Sequence, residues 1–330
     1  MGATLQRAWR GRGPLACLLW PLSRLYALLA GLHRGLYRVG LLRRERLPVA
    51  VVVVGNVVAG GAGKTPVVIE ILRHLRERGI AAGVVSRGYG RRSRGVREVR
   101  AGDSPADTGD EPLLVARSTA CPVFVGERRA DAGRALLAAH PEVRVIVSDD
   151  GLQHHALARD LEVCVFDERG TGNGWRLPAG PLREAWPRPV DLVLCPVGLA
   201  GVAGHPLRRA LAPEASRADG RRMPLAELAR RPLLALAGIA RPEAFFGMLR
   251  EAGVVPRQTL ALPDHHAFDA PVAAGGLELV CTEKDAAKLW RHAPGAWAVG
   301  LQLQLDPGFW QDFDRLLDAQ LSSPHGPQAA

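Results

Sequence analysis

From residue 49 onward, short valine-rich runs alternate with amphipathic stretches. Candidate strands fall at 49–54, 82–86, 122–125, 143–148, 161–166 and 190–195, and periodic apolar positions predict helices near 65–78, 110–118 and 128–139. A run such as Val51–Val54 has no polar alternation, so it needs burial on both faces. A mainly parallel sheet covered by helices on both sides meets that need, and an α/β fold is expected. A Gly/Pro/Arg-rich stretch over 197–231 marks an expected boundary between a core domain (48–200) and a smaller C-terminal α/β unit (201–330). That second unit is built on strands in 232–240 and 277–285, with helices near 242–252 and 308–320.

The first 47 residues follow a different pattern. Leu22, Leu25, Leu29, Leu32 and Leu36 recur at three- and four-residue steps, which at about 100° per residue forms one helical stripe. Arg24, Arg34 and Arg38 fall on the opposite face, and Pro21 suits the first turn. Two readings follow: an interfacial membrane helix with arginines toward anionic headgroups, or a surface helix packed on its own domain. No stretch reaches the ~18 uninterrupted apolar residues of a spanning helix, and no small-residue cleavage site marks a signal peptide.

Charge sharpens this picture. The net charge is +10, and residues 1–47 hold nine arginines against the single acid Glu45. With aromatics at 5% and no nucleic-acid-binding motif, a nucleic-acid partner is not expected. The five scattered cysteines form no C-x-x-C pair, so neither a disulfide framework nor a zinc site is suggested, and a reducing compartment fits. Of 43 basic residues only Lys64, Lys284 and Lys288 are lysines, so a lysine at position 64 is informative.

Position 64 lies in VVVVGNVVAGGAGKTP, residues 51–66. The general phosphate-loop pattern G-x-x-x-x-G-K-[ST] fails here, because Val58 stands where its first glycine belongs. The remaining features hold: a buried strand, then Gly60, Gly61, Ala62 and Gly63, then Lys64, Thr65 and Pro66 opening a helix. Backbone amides at a helix start plus one lysine make a cradle for a nucleotide phosphate, and Thr65 is placed to ligate Mg²⁺. In VRVIVSDDGLQHH, Asp149 and Asp150 emerge at a strand's carboxyl end, where an acidic residue holds Mg²⁺ in nucleotide-binding sheets. TGDEPLLVA offers Asp110, with Thr108 and Glu111 at capping-box spacing. LPDHHAF pairs carboxylate and imidazole, suited to proton transfer, and SRGYGRR with Arg87 is a basic, glycine-hinged loop suited to an anionic substrate. LPAGPLREAW places Arg183 and Glu184 in a Pro/Gly-rich loop.

In order, VVGNVVAGGAGKTP, VVSRGYGR, TGDEPLLVA, SDDGLQHH, LPAGPLRE, AGIARPEAFF, PDHHAF and TEKDAAKL resemble the tetraacyldisaccharide 4′-kinase family of the lipid A pathway. The resemblance implies ATP-dependent, Mg²⁺-assisted phosphorylation of the 4′-hydroxyl of a tetraacyldisaccharide 1-phosphate. It implies a peripheral enzyme on the cytoplasmic face of the bacterial inner membrane, held to an anionic surface by its N-terminal helix. Position by position, it implies phosphate and metal contacts at Lys64 and Thr65, a metal-associated pair at Asp149 and Asp150, and a proton-accepting dyad of Asp110 with His265. Gln153, His154, Arg183 and Glu184 match the family's active-site surroundings. A membrane-targeted switch ATPase is the alternative, though such proteins carry an extra lysine ahead of the glycines where this chain has Ala59.

Overall fold

The structure, a computed structural model, describes residues 3–61, 63–264 and 266–322. The chain opens with α1 (Ala3–Ala8) and α2 (Pro14–Arg38). Next come β1 (Ala50–Gly55), α3 (Lys64–Glu77), β2 (Ala82–Ser86), β3 (Arg97–Glu98), α4 (Pro105–Thr108), α5 (Asp110–Thr119), β4 (Val123–Val125) and α6 (Arg129–Ala139). The middle holds β5 (Val145–Asp149), β6 (Leu161–Val165), β7 (Leu192–Pro196), β8 (His205–Ser216), β9 (Arg222–Pro224) and α7 (Leu225–Leu228). The chain continues through β10 (Leu233–Ala237), α8 (Pro242–Glu251), β11 (Gln258–Ala261), β12 (Glu278–Thr282), α9 (Glu283–Leu289), β13 (Trp297–Leu305) and α10 (Pro307–Leu321).

All thirteen strands join one mixed sheet in the order β11-β10-β12-β13-β8-β7-β6-β1-β5-β2-β4-β3, with β9 paired to β8. Most pairs are parallel, including β1 with both β5 and β6. The valine run behaves as its lack of alternation requires. Val52 and Val54 enter a core cluster with α3, α5 and α10, whereas Val51 and Val53 enter the cluster on the opposite face. The six strands expected up to residue 196 are all present.

The stretch over 197–231 contains β8, a 12-residue strand that pairs with β7 and, antiparallel, with β13. No break in the sheet therefore marks residues 200–201. Packing still separates the C-terminal strands, which have two core clusters of their own. The last helix crosses back: Phe309, Phe313 and Leu317 of α10 pack in the cluster of β1 and α3.

Two local expectations are corrected. Thr108 does not cap α5; it ends α4, donating its hydroxyl to the Ser104 carbonyl, and Gly109 at φ +91° precedes Asp110. That positive φ lets the backbone turn sharply between the two short helices. The N-terminal helix begins at Pro14, leaving Pro21 inside it rather than in its first turn. At 25 residues and with a mean hydropathy of 1.6 over its most apolar window, α2 is long and apolar enough to cross a membrane by length and composition alone, although Arg24 and Arg34 interrupt its apolar run as the sequence shows.

The leucine stripe of α2 faces away from the protein. Leu22, Leu25, Leu29 and Leu32 are between 50 and 59% exposed. The face that meets the fold carries small and polar residues: Ala16 is buried, buried Ser23 donates to the Arg176 carbonyl and Tyr26 to the Arg183 carbonyl, both at 2.9 Å. An ordinary packed surface helix has the reverse polarity.

Candidate active site

Loops at the carboxyl ends of the parallel strands line a cleft of about 1940 Å³. Such crevices receive ligands in α/β sheets because helix N-termini and loop amides point into them. The glycine loop leaves β1 and closes on Lys64, the first residue of α3. Gly60 and Gly63 have φ of +95° and +72°. The positive φ at Gly63 favours glycine, and a Cβ there would also lie 3.1 Å from the Arg209 guanidinium, which would have to shift slightly.

Val58 fills a buried position that a glycine would leave empty. It is 2% exposed and forms an antiparallel β-bridge with Leu182. Flanking bonds run from the Ala59 amide to the Pro181 carbonyl and from the Arg183 amide to the Val57 carbonyl, both 2.7 Å. LPAGPLRE is thereby laid along the glycine loop as a short ribbon. Arg169 braces the other side, donating to the carbonyls of Ala59 and Gly61 at 3.1 and 3.0 Å while held by Asp167 at 2.9 Å. Arg209 donates to the Phe166 carbonyl and, together with Arg241, pairs with Glu168.

Lys64 and Thr65 are both buried at the start of α3. The Lys64 Nζ sits 3.5 Å from an Asp150 oxygen, and Arg183 donates to the same carboxylate at 3.2 Å. Burial pushes the Asp150 carboxyl up, but Lys64 and Arg183 together outweigh it and hold the group below its ordinary value. Asp149 differs. It ends β5, beside Val54 of β1, and both its carboxylate oxygens are buried without a hydrogen-bond partner. Burial, then the negative charge of Glu111, pushes its carboxyl up to about 7. Two buried carboxylate oxygens without a protein partner, at the end of the strand beside β1, suit a divalent cation, whose charge would favour the ionised form. Among the described residues no group of three or more His, Cys, Asp or Glu side chains is arranged around a metal. A cation here would complete its shell from phosphate oxygens and water, the usual habit of Mg²⁺.

The other expected residues gather along the same wall. Gln153 donates to Glu184 at 2.7 Å and to the Asn56 carbonyl at 2.9 Å, and accepts from Arg183 at 3.2 Å. Glu184 is buried and also meets Arg188 at 3.4 Å and Arg34 of α2 at 3.8 Å. Arg183 is thus already engaged by acidic and amide groups within the site. Arg87 and His154 line the cleft. Burial, reinforced by Arg129, Arg159 and Arg87, pushes His154 down to about 4, so its ring is neutral near pH 7.

Asp110 begins α5, on a buried position, and accepts from Lys288 Nζ at 2.6 Å. Its sequence-expected partner His265 and the loop residue Ala62 lie outside the described residues. Lys288 was not singled out as a site residue by the sequence, although it lies in TEKDAAKL. Arg129 was missed as well. It opens α6, is buried, and leaves its Nε without a partner. Burial lowers it to about 10, opposed by Asp149 and Asp150, so it is a cation facing the acidic pair. Its only sequence signal is an arginine just after a strand, in VGERRADAG.

The family model described as Tetraacyldisaccharide-1-P 4'-kinase matches residues 15–321. The Tetraacyldisaccharide 4'-kinase of Acidovorax sp. (strain JS42) is 56% identical over 97% of this chain and 96% of its own length. That of Delftia acidovorans is 53% identical over 98% and 96%. Among solved structures, the "apo" form of LpxK from Aquifex aeolicus in complex with ATP matches with a TM-score of 0.80 at 27% identity, covering 92% of this chain and 99% of that one. With strand order, glycine loop and acidic pair in the places the motifs require, the chain belongs to the tetraacyldisaccharide 4'-kinase family.

Proposed function

We propose that the cleft transfers the γ-phosphate of ATP to the 4′-hydroxyl of a tetraacyldisaccharide 1-phosphate, giving the 1,4′-bisphosphate of lipid A synthesis. The observation that carries this reading is the junction of Lys64 with Asp150 at 3.5 Å beside the orphaned Asp149 carboxylate. Phosphoryl transfer demands positioning and neutralisation of charge, and this wall supplies both.

Lys64 and the amides of Gly60, Gly61, Ala62, Gly63, Thr65 and the turn into Pro66 hold the nucleotide phosphates. Asp149, Asp150 and Thr65 would hold Mg²⁺, which when bound neutralises charge on the phosphate oxygens. Asp110, acting with His265, takes the proton of the sugar hydroxyl as the new P–O bond forms and ADP leaves. Arg87, Gln153, His154, Arg183 and Glu184 form the acceptor side, where a neutral His154 offers hydrogen bonds without charge.

Withdrawing a tetraacylated acceptor from the bilayer costs about 0.8 kcal/mol per CH₂, so the enzyme works at the membrane. The outward leucines of α2 serve that docking, on the cytoplasmic face of the inner membrane. Ser23 and Tyr26, near the middle of α2, are bonded to the active-site loop. A helix tied to the protein at its midpoint lies along the surface, which supports a peripheral rather than a spanning attachment. Incubation of the purified protein with labelled ATP, Mg²⁺ and the tetraacyl disaccharide 1-phosphate tests the activity. Label should appear at the 4′ position; hydrolysis of ATP with no labelled lipid would favour the switch ATPase instead.

A further inference from the structure

Two of the three lysines of this arginine-dominated chain, Lys64 and Lys284, line the cleft, and the third, Lys288, is buried one turn beyond Lys284. Lys64 meets Asp150, and the other two belong to α9. Lys284 and Lys288 are one turn apart on one face of that helix. Lys284 lies 3.5 Å from Asp264 and 4.0 Å from Glu111. One turn on, Lys288 donates to Asp110 at 2.6 Å and to the His266 carbonyl at 3.1 Å. Each ammonium therefore meets one acid at the start of α5 and one further group, Asp264 for Lys284 and the His266 carbonyl for Lys288.

From this repeated arrangement we infer that Lys288 is a positioning residue for phosphoryl transfer. Its ammonium fixes the Asp110 carboxylate and ties it to the backbone carbonyl of His266. The inference rests on the reading of Asp110 as part of the acceptor machinery. Lys288 and Asp110 are both buried, so neither is screened by water. An ammonium has three donors on a flexible stem and can satisfy a carboxylate and a carbonyl from one buried point. A planar guanidinium, which the chain uses at 40 of its 43 basic positions (43 less the three lysines), has no such compact geometry. The bond also spans the molecule: α9 follows β12 in the C-terminal strands, and α5 packs in the cluster of β1.

The test is a double-mutant cycle of Lys288→Met and Asp110→Asn in the full-length protein, measuring transfer from ATP to the tetraacyl disaccharide 1-phosphate. Lys288→Met should lower kcat by about tenfold or more while KM for ATP stays within about twofold, a split that general loosening of the fold would not give. In the Asp110→Asn background the same change should alter the residual rate by less than about twofold, since its action runs through Asp110. The doubly neutral pair leaves no buried charge alone, so this comparison stands even if Lys288→Met by itself folds poorly. An unchanged kcat in Lys288→Met, or an equal loss in both backgrounds, overturns the inference while leaving the role of Asp110 intact. Undiminished transfer by Asp110→Asn removes the underlying reading, and the inference with it.

Discussion

Tyr26 of α2 donates its hydroxyl to the backbone carbonyl of Arg183, whose guanidinium holds Asp150. The helix that presents leucines outward is thus one hydrogen bond from a residue touching the phosphate wall. Burial, only partly offset by Arg183, pushes the Tyr26 phenol up, so it remains a donor over the working pH range. The LPAGPLRE loop thus connects α2 to the wall of the cleft.

The outward stripe predicts a separation of binding from stability. Replacing Leu25, Leu29 and Leu32 together by glutamate should abolish cosedimentation with anionic vesicles. Since these side chains are exposed, each change should alter folding stability by no more than about 0.5 kcal/mol. A collapse in melting temperature would show that the stripe is packed within the protein.

At position 58, restoring the general consensus should do harm. Val58→Gly deletes a buried side chain, loosens the bridge to Leu182 and adds backbone freedom. Denaturant unfolding should show a loss of about 2–4 kcal/mol, from the burial of one valine plus the glycine penalty. ATP affinity should not improve, and a gain in affinity at unchanged stability would refute this account of the loop.

Asp149 predicts a pH dependence of definite sign. Its folded carboxyl is near 7 against 3.8 for the ordinary group. Between those values the folded protein keeps a proton that the unfolded chain has lost, so stability falls as pH rises, and the cost is complete above the folded value. In protein without Mg²⁺, Asp149→Asn should raise the melting temperature at about pH 8 and flatten this slope. The same variant should lose the stabilisation that Mg²⁺ with ATP gives the unaltered protein, measured by thermal shift.

His154 acts in the opposite sense. Its folded value is about 4 against 6.5 for an ordinary histidine. The unfolded chain binds the proton first, so the contribution of a neutral His154 is present above 6.5 and is lost as pH falls toward 4. His154→Gln should reduce acid destabilisation over that window in urea unfolding series; an unchanged slope would place the proton uptake elsewhere.

The fold was legible because its signals are local. Valine runs name buried strands, and the glycine loop with Asp149 and Asp150 sits at strand ends that periodicity alone locates. What escaped depends on partners far apart in the chain. Lys288 meets Asp110 from 178 positions away, and Arg169 braces a loop 108 to 110 positions earlier. No spacing rule encodes such pairs. The N-terminal helix shows the intermediate case: its stripe was visible, but that the polar side docks on residues 176 and 183 follows only from the tertiary structure.

The central claim is that this cleft passes phosphate to a sugar hydroxyl whose proton Asp110 takes. Its most direct test compares Asp110→Ala with the unaltered protein for ATP binding and for transfer of labelled phosphate to the tetraacyl disaccharide 1-phosphate. Asp110→Ala should retain ATP affinity while transfer falls by about a hundredfold or more, the usual share of a general base. Transfer at the unaltered rate in Asp110→Ala would contradict this claim.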